Sequence, residues 1–246
     1  MAHGRTAQGG KSIYRASVGI LMLDARFPRI PGDMGNARTW PFPVLYRIVR
    51  GATPDRVVRH NATGLLDTFI AAACDLVADG AEGITTSCGF LSLFQDELAE
   101  AVGVPVATSS LMQTPMVNRL LPRGKRAGIL TISGSTLTLR HLEKAGVPSD
   151  TPVGSTEGGR EFTQAILGNR LQLNIDAARD DNVEAARTLV SAHPEIGALV
   201  LECTNMMPYA ADIRAAVGMP IFTMDSFVSW FQSGLDPKRY AVFDDR

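Results

Sequence analysis

Two stretches of the sequence decide its fold: GITTSCGF at residues 83–90 and ALVLECTN at residues 198–205. Each begins as a short run rich in apolar and β-branched residues, which is typical of a buried strand in a parallel sheet. Each then reaches a cysteine, Cys88 in the first stretch and Cys203 in the second. Ligands bind open α/β sheets beyond the carboxyl ends of their strands. The pattern therefore predicts two strand ends that each present a thiol to a binding cleft.

The sequence on either side of these stretches alternates between short apolar runs and longer amphipathic segments. This alternation favours βαβ units and predicts an α/β fold with mostly parallel sheets. The predicted strands are 17–23, 83–87, 104–107, 126–131, 198–202 and 220–223, with a weaker one at 151–153. The predicted helices are 61–79, 92–101, 113–121, 135–145, 161–169, 180–193, 210–217 and 225–232.

The organisation of the chain suggests two similar halves. Pro122 and Gly124, between a predicted helix and a new strand, mark the boundary. The first lobe is predicted as residues 17–121 together with 219–246, and the second as residues 122–218. Residues 1–16 are polar and are predicted to be a disordered lead-in. The Pro-rich segment 27–43 is predicted to be a long functional loop.

Composition excludes several classes of partner and cofactor. A formal net charge of −1 over 246 residues, without runs of like charge, argues against a nucleic-acid partner. Every apolar run is too short to span a bilayer, and residues 1–17 lack the apolar centre of a signal peptide, so no membrane partner and a cytoplasmic location are expected. Three cysteines and four scattered histidines show neither disulfide nor metal-ligand spacing, and Walker and GxGxxG motifs are absent. A small molecule is the expected ligand.

Cys88 and Cys203 have two interpretations. A thiol at a helix N-terminus can have a lowered pKa and act as an acid or base. Free cysteine is also among the most buried residue types, so both could simply be small core residues. Cys74, inside an apolar helical segment, is expected to be plain core packing.

Two other groups are candidates for substrate binding. The loop of Ser133, Ser135 and Thr136 leaves a strand and enters a helix, so its hydroxyl and N–H groups could cradle a carboxylate, although ordinary N-capping would explain it equally well. Asp24 and Arg26 follow the first strand; Asp24 could hold a substrate cation, or the two could pair with each other.

These features together resemble the aspartate/glutamate racemase superfamily, over nearly all of the chain after Ala16. The resemblance is carried by the two cysteines, the repeated halves and the loop TISGST at 131–136. Segments similar to the algal dimethylsulfoniopropionate lyases of that superfamily are Leu23–Asp24, Phe27–Pro28, Pro31–Gly32–Asp33, Tyr46–Arg47 and SCGFL at 87–91.

The resemblance implies two flavodoxin-like halves with the active site in the cleft between them, and it suggests a homodimer. It also implies cofactor- and metal-independent chemistry, in which one cysteine removes the proton beside a carboxylate and the opposite one delivers a proton. Loop position and resemblance together predict catalytic Cys88 and Cys203 and a substrate-binding set of Asp24, Ser87, Gly89, Phe90, Ser133, Ser135, Thr136, Thr204 and Asn205. The racemases usually carry Asn–Thr after the first cysteine, where this chain has Gly89–Phe90.

Three hypotheses about function follow. The leading one is racemisation or epimerisation of a small carboxylate such as an amino acid. The second is a β-eliminating lyase of the dimethylsulfoniopropionate type. The third is a non-enzymatic small-molecule binding protein on the same scaffold, because a fold does not fix a function.

Overall fold

The computed structural model describes residues 9–240. Residues 1–8 of the predicted lead-in, and residues 241–246 of the predicted first lobe, lie outside that range. Residues 9–16 form neither helix nor strand, and the N–H of Ile13 in this segment donates to the carbonyl of Asp79.

Within residues 9–240, eight strands form two four-stranded sheets, and every strand pair is parallel. The first sheet, in the order β2-β1-β3-β4, contains β1 (Val18–Leu23), β2 (Val44–Val49), β3 (Gly83–Thr86) and β4 (Val106–Ala107). The second sheet, in the order β6-β5-β7-β8, contains β5 (Arg126–Thr131), β6 (Val153–Ser155), β7 (Ile196–Leu201) and β8 (Ile221–Phe222). The predicted class, two similar α/β halves with mostly parallel sheets, is confirmed.

Nine α-helices flank these sheets within the described residues. They are α1 (Pro54–Val58), α2 (Leu66–Asp79), α3 (Gln95–Val102), α4 (Thr114–Leu120), α5 (Leu139–Lys144), α6 (Phe162–Leu167), α7 (Ile175–Ala192), α8 (Ala210–Val217) and α9 (Met224–Leu235). None of these described helices combines the length and the apolar character needed to cross a membrane.

The two halves repeat one another most closely after their third strands. In the first half, Cys88 precedes a 3-10 helix (Gly89–Phe94), which leads into α3. In the second half, Cys203 precedes a 3-10 helix (Thr204–Tyr209), which leads into α8. Both α-helices have eight residues and end at a glycine in the left-handed conformation. The same chain path therefore carries each cysteine to the same place in its lobe.

The lobes exchange one helix each, and the positions of α4 and β8 correct the predicted domain boundaries. In α4, from the first half of the sequence, Val117 packs against Ala127 and Ala198 of the second sheet. In α9, from the end of the chain, Phe227 packs against Val18 of the first sheet. Strand β8, assigned from sequence to the first lobe, pairs with β7 of the second. That assignment was wrong for β8 because a two-residue edge strand carries too little pattern to show its partner.

The lobes share one continuous core. Its largest cluster of buried side chains runs from Leu21 and Phe90 in the first lobe to Leu130, Phe162 and Leu201 in the second. Hydrogen bonds also cross between the lobes: Ser110 donates its hydroxyl to the carbonyl of Leu201 at 2.7 Å. This interface holds the carboxyl ends of β3 and β7 against each other.

Candidate active site

Both cysteines occupy the residue just before a 3-10 helix, where the chain leaves a central strand. Cys88 and Cys203 have extended backbones there, and their residues are only 8% and 7% exposed. Cys74 lies on the outer face of α2 and is exposed, so its expected core position was wrong. The helix buries its Phe69, Ala72, Ala73 and Leu76 face instead.

Cys88 and Cys203 line the same cavity between the lobes. The cavity has a volume of about 20 Å³, which is room for about one water molecule. A larger ligand therefore requires the lining side chains or the lobes to move apart. Its polar lining consists of Arg29, Ser87, Glu202, Thr204 and Asn205 beside the two thiols. Its apolar lining consists of Leu23, Phe27, Pro54, Val58, Ile132, Ile166 and Leu167.

Burial raises the pKa of both thiols. For Cys88, loss of hydration is the largest cause of the rise, and the nearby carboxyl of Glu202 adds to it, while Arg29 acts in the opposite direction. For Cys203, loss of hydration is again the largest cause, followed by Glu202 and Cys88. Both thiols therefore rest in the protonated form and need a partner to accept a proton before either can act as a base.

Glu202 is a buried carboxyl group within this thiol pair. Its residue is 0% exposed, and one oxygen, Oε2, accepts the Thr131 hydroxyl at 2.7 Å. The other oxygen, Oε1, has no hydrogen-bond partner among residues 9–240. Burial raises the pKa of Glu202 to about 7, against the weaker opposing effects of the Thr131 hydroxyl and the nearby backbone of Ile132 and Phe90. This carboxyl can thus gain or lose a proton near neutral pH.

Gly89 allows this carboxyl group to approach the first cysteine loop. A Cβ atom at residue 89 would lie within 2.5 Å of two Glu202 atoms, the backbone carbonyl oxygen and the side-chain Oε1. Any side chain there would push the two strand ends apart. Gly89 therefore brings the Glu202 carboxyl beside the loop of Cys88.

A chain of polar contacts links Cys203 to the long loop after β1. The Cys203 thiol donates to Oδ1 of Asn205 at 3.6 Å, and Nδ2 of Asn205 donates to Oδ2 of Asp33 at 2.6 Å. The other Asp33 oxygen accepts from the Arg29 guanidinium at 2.9 Å. Because a carboxylate only accepts hydrogen bonds, Asp33 fixes the Asn205 amide with its oxygen toward the thiol. This arrangement stabilises Cys203 as S–H.

Arg29 brings a positive charge to the cavity wall. Its guanidinium also stacks on the ring of Phe27, 4.3 Å from the ring centroid. Among the described residues, Asp33 accepts from one nitrogen of Arg29, Nη1, so other N–H groups of this planar guanidinium remain to bind an anion.

The structure brings only some of the predicted substrate-binding residues to the cavity. Ser87, Thr204 and Asn205 line it, and the Thr204 hydroxyl donates to the Ser87 carbonyl at 2.7 Å. Gly89 and Phe90 lie behind the lining, where Phe90 contacts the ring of His141 edge-on. His141 caps α5 and is fully buried.

Asp24 lies at the edge of the first lobe and outside the cavity lining. Its carboxylate accepts from the backbone N–H of Gly51 at 3.1 Å and pairs with Arg50 at 3.4 Å. It does not pair with Arg26, whose backbone N–H donates to Asn169. Asp24 thus caps a turn after β2, and the structure gives it no contact with the thiol cavity.

The serine loop cradles a carboxylate, but that carboxylate belongs to the chain itself. Glu157 accepts hydrogen bonds from the hydroxyls of Ser133 and Ser155 and from both the hydroxyl and the backbone N–H of Ser135. Thr136 donates to Ser133 at 2.8 Å. Partial burial raises the pKa of Glu157, but the hydrogen bonds outweigh it and lower the pKa overall. Ser133, Ser135 and Thr136 therefore serve Glu157 and do not line the thiol cavity.

Sequence reasoning did not name Arg29, Asp33 or Glu202 as site residues. Arg29 and Asp33 lie in the 27–43 segment, whose length alone predicted function without indicating which side chain mattered. Glu202 had a stronger signal, since an acidic residue directly before Cys203 interrupts a strand that is otherwise apolar. Among residues 9–240, His, Cys, Asp and Glu side chains form no group of three or more that could hold a metal ion.

Solved structures similar to this two-lobed architecture include a racemase and a decarboxylase. A glutamate racemase from Bacillus anthracis has a TM-score of 0.60 at 16% identity, covering 89% of this chain and 81% of that one. Unliganded arylmalonate decarboxylase has a TM-score of 0.56 at 16% identity, covering 92% and 94%. The chain therefore shares the fold of these racemases and decarboxylases, which is the fold that the resemblance seen in the sequence implied.

Curated proteins with similar sequences are named as lyases and not as racemases or decarboxylases. A dimethylsulfoniopropionate lyase of Durusdinium sp. clade D is 26% identical over 241 residues, covering 95% of this chain and 80% of that protein. Dimethylsulfoniopropionate lyase 6 of Emiliania huxleyi is 31% identical over 248 residues, covering 92% and 62%. No protein-family model matches the chain.

Proposed function

We propose that this protein is a lyase that removes a proton beside a carboxylate and expels a β-sulfonium group, as in the cleavage of dimethylsulfoniopropionate to acrylate and dimethyl sulfide. The observation that carries the proposal is a single cavity lined by Cys88, Cys203 and the cation Arg29. The protein is also similar in sequence to dimethylsulfoniopropionate lyases over most of its length, which supports the proposal.

The lining suggests how such a substrate would be oriented. Arg29 offers a guanidinium that can bind the carboxylate through two N–H groups. The apolar side chains, among them Phe27, Ile132 and Leu167, suit the methyl groups at the other end of the molecule. An apolar wall also disfavours a charged sulfonium relative to the neutral sulfide that leaves, so it assists the step in which that charge disappears.

The proposed chemical step balances without an external reagent. A thiolate takes the proton from the carbon beside the carboxylate and becomes a thiol. The electron pair of that C–H bond forms the C=C bond, and the bond between the β-carbon and sulfur breaks with its electron pair remaining on sulfur. The products are acrylate, dimethyl sulfide and a protein that must lose one proton to solvent before the next turnover.

Product analysis tests this proposal directly. The protein is incubated with dimethylsulfoniopropionate, dimethyl sulfide is measured by gas chromatography, and acrylate is measured by NMR. We expect equal amounts of the two products from the unaltered protein and from the exposed-cysteine control Cys74→Ser. Cys88→Ser and Cys203→Ser should each release both products about 10³-fold more slowly. Absence of both products with the unaltered protein would refute the lyase assignment.

Racemisation or epimerisation of a small carboxylate is the second candidate. The observation that favours it is the presence of two thiols on one cavity, since a second thiol can deliver a proton to the opposite face of the same carbon. The same assay in D₂O with D- and L-amino acids separates the candidates. Inversion with deuterium at the α-carbon and no eliminated product would indicate a racemase.

A further inference from the structure

Cys88 and Cys203 are the same kind of residue in similar loops, but their polar surroundings differ. The Cys203 thiol donates to an asparagine oxygen that Asp33 holds in place. Within the described part of the chain, the Cys88 thiol donates no hydrogen bond, and its neighbouring backbone is that of Gly89 and Phe90. The two cysteines are therefore unequal before any substrate binds.

An unpaired acceptor, Oε1 of Glu202, lies beside the Cys88 loop. That oxygen lies against Gly89, and the backbone of Phe90 acts on both Glu202 and Cys88. The carboxyl group is fully buried and belongs to the cavity lining. A buried carboxyl with one free oxygen normally costs stability, so its location at the reacting groups points to a chemical use.

We propose that Glu202 accepts the thiol proton of Cys88, which makes Cys88 the base, while Asn205 keeps Cys203 protonated as a hydrogen-bond donor to the negative charge that develops on the substrate. This inference rests on the proposed function of the cavity and extends it by assigning a different task to each cysteine. In the step, the Cys88 S–H bond breaks, its electron pair stays on sulfur, and the proton forms an O–H bond with Glu202. One negative charge thus moves from oxygen to sulfur, and the total charge of the cavity is unchanged.

The charged and titratable groups of the thiol cavity determine how the test is interpreted. They are Cys88, Cys203, Arg29 and Asp33, which all act on the thiols or line the cavity. When two such groups exchange a proton, the pair titrates with its own macroscopic pKa values. The reactivity of Cys88 should therefore begin to rise when the pair loses its first proton, near neutral pH, and should rise again when it loses the second.

The experiment measures the rate of Cys88 alkylation by iodoacetamide from about pH 5 to 10, with Cys74→Ser as background and peptide mass spectrometry as readout. The variants are Glu202→Gln and Glu202→Asp. The matched control is Glu195→Gln, which changes an exposed carboxylate at the opposite end of the same strand. We expect the neutral-pH rise to vanish in Glu202→Gln, to persist at reduced height in Glu202→Asp, and to be unchanged in the control.

Turnover of dimethylsulfoniopropionate supplies the second readout. We expect Glu202→Gln to lose about 100-fold in kcat near pH 7 and to regain part of it at higher pH, where Cys88 ionises without help. A loss by the same factor at every pH, together with an unchanged alkylation profile, would overturn the proposal by showing a purely structural role. If the unaltered protein turns over no carboxylate while its alkylation profile changes in Glu202→Gln, the proposed function fails but the proton transfer stands.

Discussion

The second lobe holds two carboxyl groups near the ends of its strands, and their surroundings are opposite. Glu157 is on the surface and accepts hydrogen bonds from three serines, so its pKa is lowered. Glu202 is buried with one free oxygen, and its pKa is raised to about 7. Both carboxylate oxygens of Glu157 accept hydrogen bonds, whereas Oε1 of Glu202 accepts none among residues 9–240. The reactive region is therefore identified by a buried polar atom without a hydrogen-bond partner as much as by residue type.

Removal of either thiol should have the largest effect on activity. A positioned acid or base contributes about 10² to 10⁴-fold to a rate, so Cys88→Ser and Cys203→Ser should each lower kcat/KM for elimination by about 10³-fold. Ser135→Ala in the serine loop should leave kcat/KM within a factor of about 3 of the unaltered protein. Steady-state release of dimethyl sulfide measures all three. Equal losses in the serine-loop and cysteine variants would remove the contrast between the two regions.

Glu202 should make the protein less stable as pH rises. The folded protein holds this proton with a pKa of about 7, against an ordinary value of 4.5, so its favourable contribution is full below about pH 4.5 and is lost as pH rises to about 7. The shift corresponds to about 3 kcal/mol. The difference in free energy of unfolding between Glu202→Gln and the unaltered protein should therefore grow by about that amount between pH 4.5 and 8. Chemical denaturation at a series of pH values measures it, and a constant difference would contradict the raised pKa.

Loss of the Arg29 guanidinium should weaken substrate binding. A hydrogen bond to a charged group contributes about 1.5 to 3 kcal/mol, so Arg29→Gln should raise KM for a carboxylate substrate by about 10 to 100-fold. Arg29→Lys should recover only part of this affinity, because an ammonium group cannot form the planar two-point contact. An unchanged KM in Arg29→Gln would place the substrate carboxylate elsewhere.

Replacement of Glu157 should have the smallest effect of these changes, and it should affect only stability. Its lowered pKa means that its contribution is present above its ordinary pKa of 4.5 and is lost as pH falls through the folded-state value. Because the side chain is largely exposed, Glu157→Gln should cost only about 1 kcal/mol near pH 7. Thermal unfolding and kcat/KM measured on the same preparation check this, and a large loss of activity would move the serine loop into the active site.

Much of the fold was predictable because repeated apolar runs followed by cysteines are a local signal. β5 was predicted with the same bounds, 126–131, since every residue after Arg126 is buried. β2 was missed because its first five residues are only partly buried or exposed, and Arg47 breaks its apolar pattern. The packing of α4 on the second sheet was beyond sequence reasoning, since periodicity shows which face of a helix is buried but not which sheet covers it.

The candidate site was predictable only where chain position determines contact. Cys88, Ser87, Cys203, Thr204 and Asn205 follow two strands that the sequence shows clearly, and all five reach the cavity. The serine loop was expected to cradle a carboxylate and does so, but Glu157 lies 22 residues beyond Ser135 and no local pattern joins them. Arg29 and Asp33 depend on the path of an irregular loop, which pattern does not determine.

The central claim, that Cys88 and Cys203 share one cavity, is tested most directly by counting labels. Protein carrying Cys74→Ser is treated with excess bromoacetate, and intact and peptide mass spectrometry give the number and position of carboxymethyl groups. A shared cavity that opens to admit one bromoacetate should be filled by the first carboxymethyl group, so we expect one group, on Cys88 or on Cys203 but not on both in one molecule. Rapid accumulation of molecules labelled on both cysteines would contradict a shared cavity.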